Sequence, residues 1–324
     1  MAGLSESQLE RLADDGYLAV HGLLDPDAVL APIVDEYEGV LDRLATHLAA
    51  TGVIADPLTG VPFAERFMRI VAETGNTYSQ WFDPALPQAE VRTDTPIWTG
   101  PAVFGLLTSS DLLDAVESVI GPEIVANPVQ HVRIKPPEGL VAPELAAGQH
   151  ALAATSWHQD NGVVTPDADE SDILTVWIPL TRATTRHGCL TVIPGSHRGD
   201  LYTHCPGSAA GLEIPETTLS RDGAVAVPLE RGDVLFLDKR TAHASLSNVS
   251  DEIRWSLDLR FNPVGQPTGR AVHPGFVARS RRDPASELRD PAEWARLWED
   301  ARARLAVDAE FTYNRWDSDA PACA

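Results

Sequence analysis

The chain has 324 residues, 44% of them hydrophobic, which suits one large domain with a substantial buried core. Its 47 acidic against 25 basic residues give a formal net charge of −22. That field opposes nucleic-acid backbones and anionic membrane surfaces and favours a neutral or cationic small molecule as partner. Cys189, Cys205 and Cys323 form no Cys-x-x-Cys pair, so neither a disulfide framework nor a zinc knuckle is expected. Residues 1–6 lack the basic start and apolar core of a secretion signal, and no apolar run reaches ~18 residues, so a cytoplasmic location is expected.

Taken in order, Ser5 is placed to cap a first helix that runs to about Asp15 and stops at Gly16. After a short extended run, Asp25-Pro26 supplies a capping carboxylate and a first helical residue that needs no amide donor. Val29, Ile33, Tyr37, Val40, Leu44 and Leu48 then recur at three- and four-residue steps. This predicts a long amphipathic helix, bent at Pro32 and closed by Gly52. Residues 53–108 are rich in Pro, Gly, Thr and rings, with one helical passage over 63–74; Trp81, Phe82, Trp98 and Phe104 either cover one end of the core or meet a ligand. Another helix opens at Ser110 or Asp111 and stops at Gly121-Pro122.

From Val129 onward short alternating runs dominate. Residues 129–135 alternate and end at Pro136-Pro137, and residues 140–154 read as an Ala/Gly-rich insertion or flexible lid. Over 173–180, Leu174, Val176, Ile178 and Leu180 share one face, with Thr175 and Trp177 on the other. Further strands are expected at 190–193, 224–228, 234–237, 243–246 and 253–261, a pattern of a sandwich or barrel. Beyond Pro263 the chain reads as loop until Asp290-Pro291 opens a last helix to about Leu305, packing Trp294, Leu297 and Trp298.

The segment Ser156-Trp157-His158-Gln159-Asp160 carries a histidine and an aspartate two apart, so on extended backbone both project the same way. His243 follows 85 residues after His158, and Arg254 a further 11. Two histidines and one carboxylate on one face of a metal leave the opposite positions open, the arrangement of non-haem Fe(II) oxygenases. No His-Glu-x-x-His or Gly-x-Ser-x-Gly motif offers another chemistry. Between the triad members lie Gly188-Cys189-Leu190-Thr191-Val192-Ile193-Pro194-Gly195-Ser196-His197-Arg198-Gly199 and Arg231-Gly232-Asp233-Val234-Leu235-Phe236. With these stretches, the chain resembles the phytanoyl-CoA dioxygenase family of Fe(II)/2-oxoglutarate-dependent oxygenases over about 129–261. A weaker match runs from Asp15-Gly16-Tyr17 to Leu24-Asp25-Pro26.

The resemblance implies a mostly β fold with flanking helices, a double-stranded β-helix of the cupin-like jelly-roll type. It implies a single oxygenase domain, with a mainly helical part over 1–128, the β-helix core over 129–264 and a helical extension over 265–324. It also implies Fe(II) held by His158, Asp160 and His243, with O2 and 2-oxoglutarate as co-substrates. Arg254 occupies the family's position for the distal carboxylate, which a planar guanidinium grips with two parallel hydrogen bonds. Arg254, Ser256, Asp258 and Arg260 share one strand face, so Arg260 is the alternative anchor. Ser245 matches a hydroxyl contact to the co-substrate, Trp177 an aromatic wall beside it, and His131 a further contact. His197, His204 and His273 read as ordinary surface or turn histidines.

The retained Asp160 argues against halogenation, in which a small residue leaves room for chloride. The expected reaction is hydroxylation, or another outcome of C–H abstraction, on a small-molecule metabolite in natural-product tailoring. The other readings are a peptide or protein hydroxylase and a non-catalytic metal-binding barrel. No basic cluster for CoA phosphates stands out, so phytanoyl-CoA itself is not the expected substrate.

Overall fold

Two antiparallel sheets form the centre of the computed structural model, which describes residues 3–142, 154–206, 212–308, 315–317 and 319–323. The larger sheet has the order β1 (Tyr17–Val20), β8 (Val234–Asp238), β3 (Leu174–Pro179), β10 (Arg254–Pro263), β2 (Glu123–Lys135) and β11 (Phe276–Ser280). The smaller one has the order β7 (Val225–Val227), β4 (Leu190–Val192), β9 (His243–Ser245), and a separate ribbon pairs β5 (Cys205–Pro206) with β6 (Leu212–Glu213). This is the jelly-roll fold that the family resemblance implies.

Period-two alternation separates two interiors. Trp255, Leu257, Leu259 and Phe261 of β10 join Val132 and Ile134 of β2 and Leu174, Val176 and Ile178 of β3 in the main core, on the outer face of the large sheet. On the opposite face, Trp177, Leu235 and Leu237 pack with Leu190, Val192 and Val227 of the small sheet. The polar residues of β10 therefore look between the sheets.

Helices cover the outer face. Helix α1 (Glu6–Asp15) is capped by Ser5 and ends at Gly16, whose φ of 77° favours glycine. The Gly16 carbonyl accepts from Asp238 N (2.9 Å) and from Thr241 Oγ1 (2.6 Å), tying this corner to the segment before His243. Asp25 caps a wider, π-type turn over Pro26–Leu30 that leads into α2 (Ala31–Ala50). Pro32 has no amide hydrogen to continue a regular ladder at this point, which accounts for the expected bend. Helix α2 buries Ile33, Tyr37, Val40, Leu44 and Leu48 as its spacing predicts. Helix α3 (Phe63–Thr74) lays Phe63 on Trp255 at 4.5 Å between ring centroids. Short helices α4 (Ser79–Phe82) and α5 (Pro101–Leu107) precede α6 (Ser110–Ile120), and α7 (Pro291–Leu305) buries Trp294 and Trp298 completely. Phe82 and Phe104 belong to the core, whereas Trp81 and Trp98 are only partly buried against it.

Three features differ from the sequence reading. The first core strand begins at Glu123, six residues before Val129, and β11 stands where loop was expected. Neither shows a clean alternation: Pro128 interrupts the first, and Arg279 breaks the short second. Cys205 and Cys323 form a disulfide across 118 residues, contrary to the expectation of none. Spacing rules detect local frameworks, and this pair meets only because the C-terminal turn returns to β5. Residues 143–153 of the expected lid lie outside the described residues. Among the described residues, no helix is long and apolar enough to cross a membrane.

Candidate metal centre

His158 and His243 exchange both backbone hydrogen bonds, each N–H donating to the other's carbonyl at 3.0 Å, so a bridge beside β9 brings two distant segments together. Their rings stand 4.2 Å apart. In each ring Nδ1 lies 2.9 Å from the carbonyl two residues earlier, Ser156 O and Thr241 O respectively. These bonds fix the tautomer: Nδ1–H donates outward and Nε2 presents its lone pair inward. Burial pushes the His158 imidazole down to about 3, helped by the charge of His243 and opposed by Asp160, so it is neutral and free to ligate at neutral pH.

Asp160 opens a tight turn (Asp160–Val163) directly after this bridge. Burial alone would raise its pKa, but Arg260, both histidines and the Thr175 hydroxyl hold the carboxyl below its usual range. Thr175 Oγ1 donates to Oδ2 at 2.5 Å, and the Arg260 guanidinium donates to Oδ1. One ligand atom each from His158, Asp160 and His243 falls within 4.8 Å of the others. Two imidazole nitrogens and one carboxylate oxygen make a donor set that fits Fe(II).

Arg254 is 1% exposed, and its Nη1 donates to Ser256 Oγ at 2.7 Å while its buried Nε finds no acceptor. Among the described residues, no carboxylate pairs with it. Burial, followed by the charge of Arg133, lowers its pKa to about 10. A cation held dry with one neutral partner is costly unless an anion arrives, which fits the distal carboxylate of 2-oxoglutarate. Trp177 lies against it, with the guanidinium carbon 5.6 Å from the ring centroid. Ser245 Oγ accepts from Thr155 N at 2.7 Å and from Lys135 Nζ at 3.4 Å, placing beside Arg254 a buried amine whose pKa burial, then the charge of Arg254, pushes well down.

A family model described as phytanoyl-CoA dioxygenase (PhyH) matches residues 12–256. The chain belongs to this family. It is an Fe(II)- and 2-oxoglutarate-dependent dioxygenase that uses O2. The 1-deoxypentalenic acid 11-beta-hydroxylase of Streptomyces arenae is 26% identical over 272 residues, which cover 81% of this chain and 82% of that protein. Two solved structures share the fold. The non-heme monooxygenase ThoJ has a TM-score of 0.56 at 19% identity, covering 92% of this chain and 95% of its own. The alpha-ketoglutarate-dependent carbocyclase SnoK from nogalamycin biosynthesis has a TM-score of 0.50 at 17% identity, covering 89% and 94%.

In this PhyH-family dioxygenase the sequence-predicted residues do not all converge equally. Arg254 and Trp177 lie against one another, and Lys135 links Ser245 to the Arg254 position, while the half-buried His131 is turned to Asp83, its Nδ1 3.0 Å from Asp83 Oδ2. Arg260 binds Asp160 and is thereby removed from the anchor role. Lys135 escaped the sequence reading because a strand-end lysine before two prolines resembles a surface residue.

His204 and His273 are buried, contrary to their reading as surface or turn histidines. His204 Nδ1 donates to Tyr202 O at 2.8 Å, and its Nε2 accepts the Gln159 amide at 2.9 Å, holding the backbone between two metal ligands. The Gln159 side chain continues this support, donating to Arg240 O at 2.7 Å and accepting from Tyr202 N at 2.8 Å. A Cβ on Gly162 would stand 2.2 Å from the His204 ring, so glycine is required for this close approach. Trp316 stacks on His204 at 5.2 Å between ring centroids and donates to Gly162 O at 2.6 Å. A cavity of about 660 Å3 lined by Trp81, Trp98 and Arg43 shares no residue with the metal centre.

Proposed function

We propose that this dioxygenase hydroxylates, or otherwise oxidises by C–H abstraction, a small-molecule metabolite in natural-product tailoring, acting as one oxygenase domain. In this reading His158, Asp160 and His243 hold iron, Arg254 grips 2-oxoglutarate with Ser245 and Trp177 beside it, and His131 lines the approach. The observation that carries it is the pairing of an inward-facing set of two histidines and one aspartate with a buried guanidinium that no carboxylate answers among the described residues. The roles of the similar proteins, a 1-deoxypentalenic acid hydroxylase, a non-heme monooxygenase and a carbocyclase from nogalamycin biosynthesis, support the substrate class.

Bound iron would supply the oxidative chemistry, in which O2 and the decarboxylation of 2-oxoglutarate to succinate and CO2 are coupled to oxidation of a C–H bond. The protein orients and shields. Arg254 fixes the register of the co-substrate, because a bidentate fork permits one orientation of the carboxylate. Trp177 closes one side of this end against water. Thr175 and Arg260 hold Asp160 ionised and aimed, and the two backbone carbonyls keep both imidazoles in the ligating tautomer.

The test is succinate release from 2-oxoglutarate with Fe(II) and ascorbate in air, with and without a metabolite panel, followed by mass analysis of the products. Iron-dependent succinate that rises with one panel member, together with a product about 16 mass units heavier, fits hydroxylation. Iron and 2-oxoglutarate binding with no succinate for any metabolite, and turnover on a peptide instead, would replace the small molecule by a protein substrate.

A further inference from the structure

On the inward faces of β2 and β10, two charges have no counterpart among the described residues. Register pairs Lys135 with Arg254, Arg133 with Ser256 and His131 with Asp258. Most of this row is engaged. Arg254 holds the Ser256 hydroxyl, Lys135 donates to Thr155 and Ser245, His131 meets Asp83, and Arg260 meets Asp160. Arg133 and Asp258 remain. Both are half-buried, and neither makes a side-chain hydrogen bond or ion pair among the described residues. Asp258 Oδ1 is shut off from water and has no donor.

The two are diagonal neighbours on adjacent strands, a placement that sets side-chain origins roughly 7 Å apart. Arg133 lowers the pKa of Arg254 and Asp258 raises it, so both charges stand at the co-substrate end, where Asp258 is in register with Trp177 of β3. Opposite charges this close, facing a partly dry interior without meeting, form a fixed dipole.

We propose that Arg133 and Asp258 bind the primary substrate as a zwitterion, Arg133 taking its carboxylate and Asp258 its ammonium group. This inference rests on the oxygenase reading above. A purely anionic substrate would leave Asp258 unanswered and a purely cationic one would leave Arg133 so, whereas a short amino-carboxylate answers both. 2-Oxoglutarate cannot fill this role, because it offers no cation to Asp258. A zwitterion also carries no net charge, so the −22 of the chain does not oppose its approach.

The experiment is an anaerobic titration of the Fe(II)- and 2-oxoglutarate-loaded protein with the twenty common amino acids, each with its methyl ester and its N-acetyl form. The readout is the visible charge-transfer absorbance of the metal complex, and 2-oxoglutarate binding is measured first on the same samples. At least one free amino acid is expected to shift the band, with the ester and the N-acetyl form each about tenfold weaker or worse. R133Q should erase the preference for acid over ester and keep that for free amine over N-acetyl; D258N should do the reverse. A general folding defect would lower all forms alike, so the crossed pattern is specific. The proposal is overturned if no amino acid shifts the band, if blocked forms bind as well as the parents, or if each variant loses both preferences together. Absence of 2-oxoglutarate binding in the unaltered protein would instead overturn the oxygenase reading, and this inference with it.

Discussion

Replacing Arg254 by methionine keeps most of the side-chain volume and removes the guanidinium, and its two effects should have opposite signs. Without ligand, Arg254 is 1% exposed with a neutral hydroxyl as partner, so the charge is a liability and the variant should unfold at an equal or higher urea midpoint. With 2-oxoglutarate bound, truncating one member of a buried, hydrogen-bonded charge pair costs about 2–5 kcal/mol. Lys135 remains beside Ser245 and recovers part of this, so about 2–4 kcal/mol is expected. That corresponds to a Kd for 2-oxoglutarate weakened roughly 30- to 1000-fold. Arg254→Lys should restore little, because an ammonium cannot reproduce the parallel fork. Calorimetric titration of the Fe(II)-loaded, oxygen-free protein measures the affinity. A change below about threefold in Arg254→Met would refute the anchor assignment and the reasoning from its unpaired burial.

Other outcomes follow from the same contacts. Asp160→Ala should abolish turnover and also destabilise the protein by about 3–5 kcal/mol, because it leaves the buried Arg260 without its acceptor. Urea unfolding of the double variant Asp160→Ala/Arg260→Met should recover stability without recovering turnover. Burial lowers His204 to about 4 and His273 to about 3, so each stays neutral in the fold while the unfolded chain takes up a proton near pH 6.5. Their contribution is complete above about pH 6.5 and is lost as pH falls towards 4 and 3, by roughly 2 kcal/mol each at pH 5. Urea midpoints at pH 7 and pH 5 check this, and His204→Asn should shrink the difference by about 2 kcal/mol, leaving the share of His273. Gly162→Ala drives a methyl group into the His204 ring and should weaken Fe(II) binding about tenfold or more, measured by chelator competition, while leaving the sheets intact by circular dichroism.

The fold was legible where chain-local signals are strong. Ser5, Gly16 and Asp25 mark helix ends because caps act within one turn, and Trp294 and Trp298 mark the buried face of α7 because helical period reports burial. The triad was legible because His158 and Asp160 are two apart and flanked by family motifs. Contacts that depend on the return of distant chain were not. Nothing near His204 distinguishes it from a surface histidine until the turn at Gly162 and the Trp316 ring close around it. Asp160 was read as a ligand alone, and its pairing with Arg260, 100 residues away, emerges only from the packing of β10 over the metal loop. The Cys205–Cys323 bond is hidden for the same reason. β11 was missed because a five-residue strand with Arg279 at 9% exposure carries too little apolar alternation to identify itself.

The central claim is that His158, Asp160, His243 and Arg254 form one iron and 2-oxoglutarate site. Oxygen-free titration of the Fe(II)-loaded protein with 2-oxoglutarate, followed by visible charge-transfer absorbance, tests it directly. A saturable band at one 2-oxoglutarate per chain is predicted, absent in His158→Ala and His243→Ala and displaced to much higher 2-oxoglutarate in Arg254→Met. No band in the unaltered protein, or an undiminished band in the histidine variants, would contradict it.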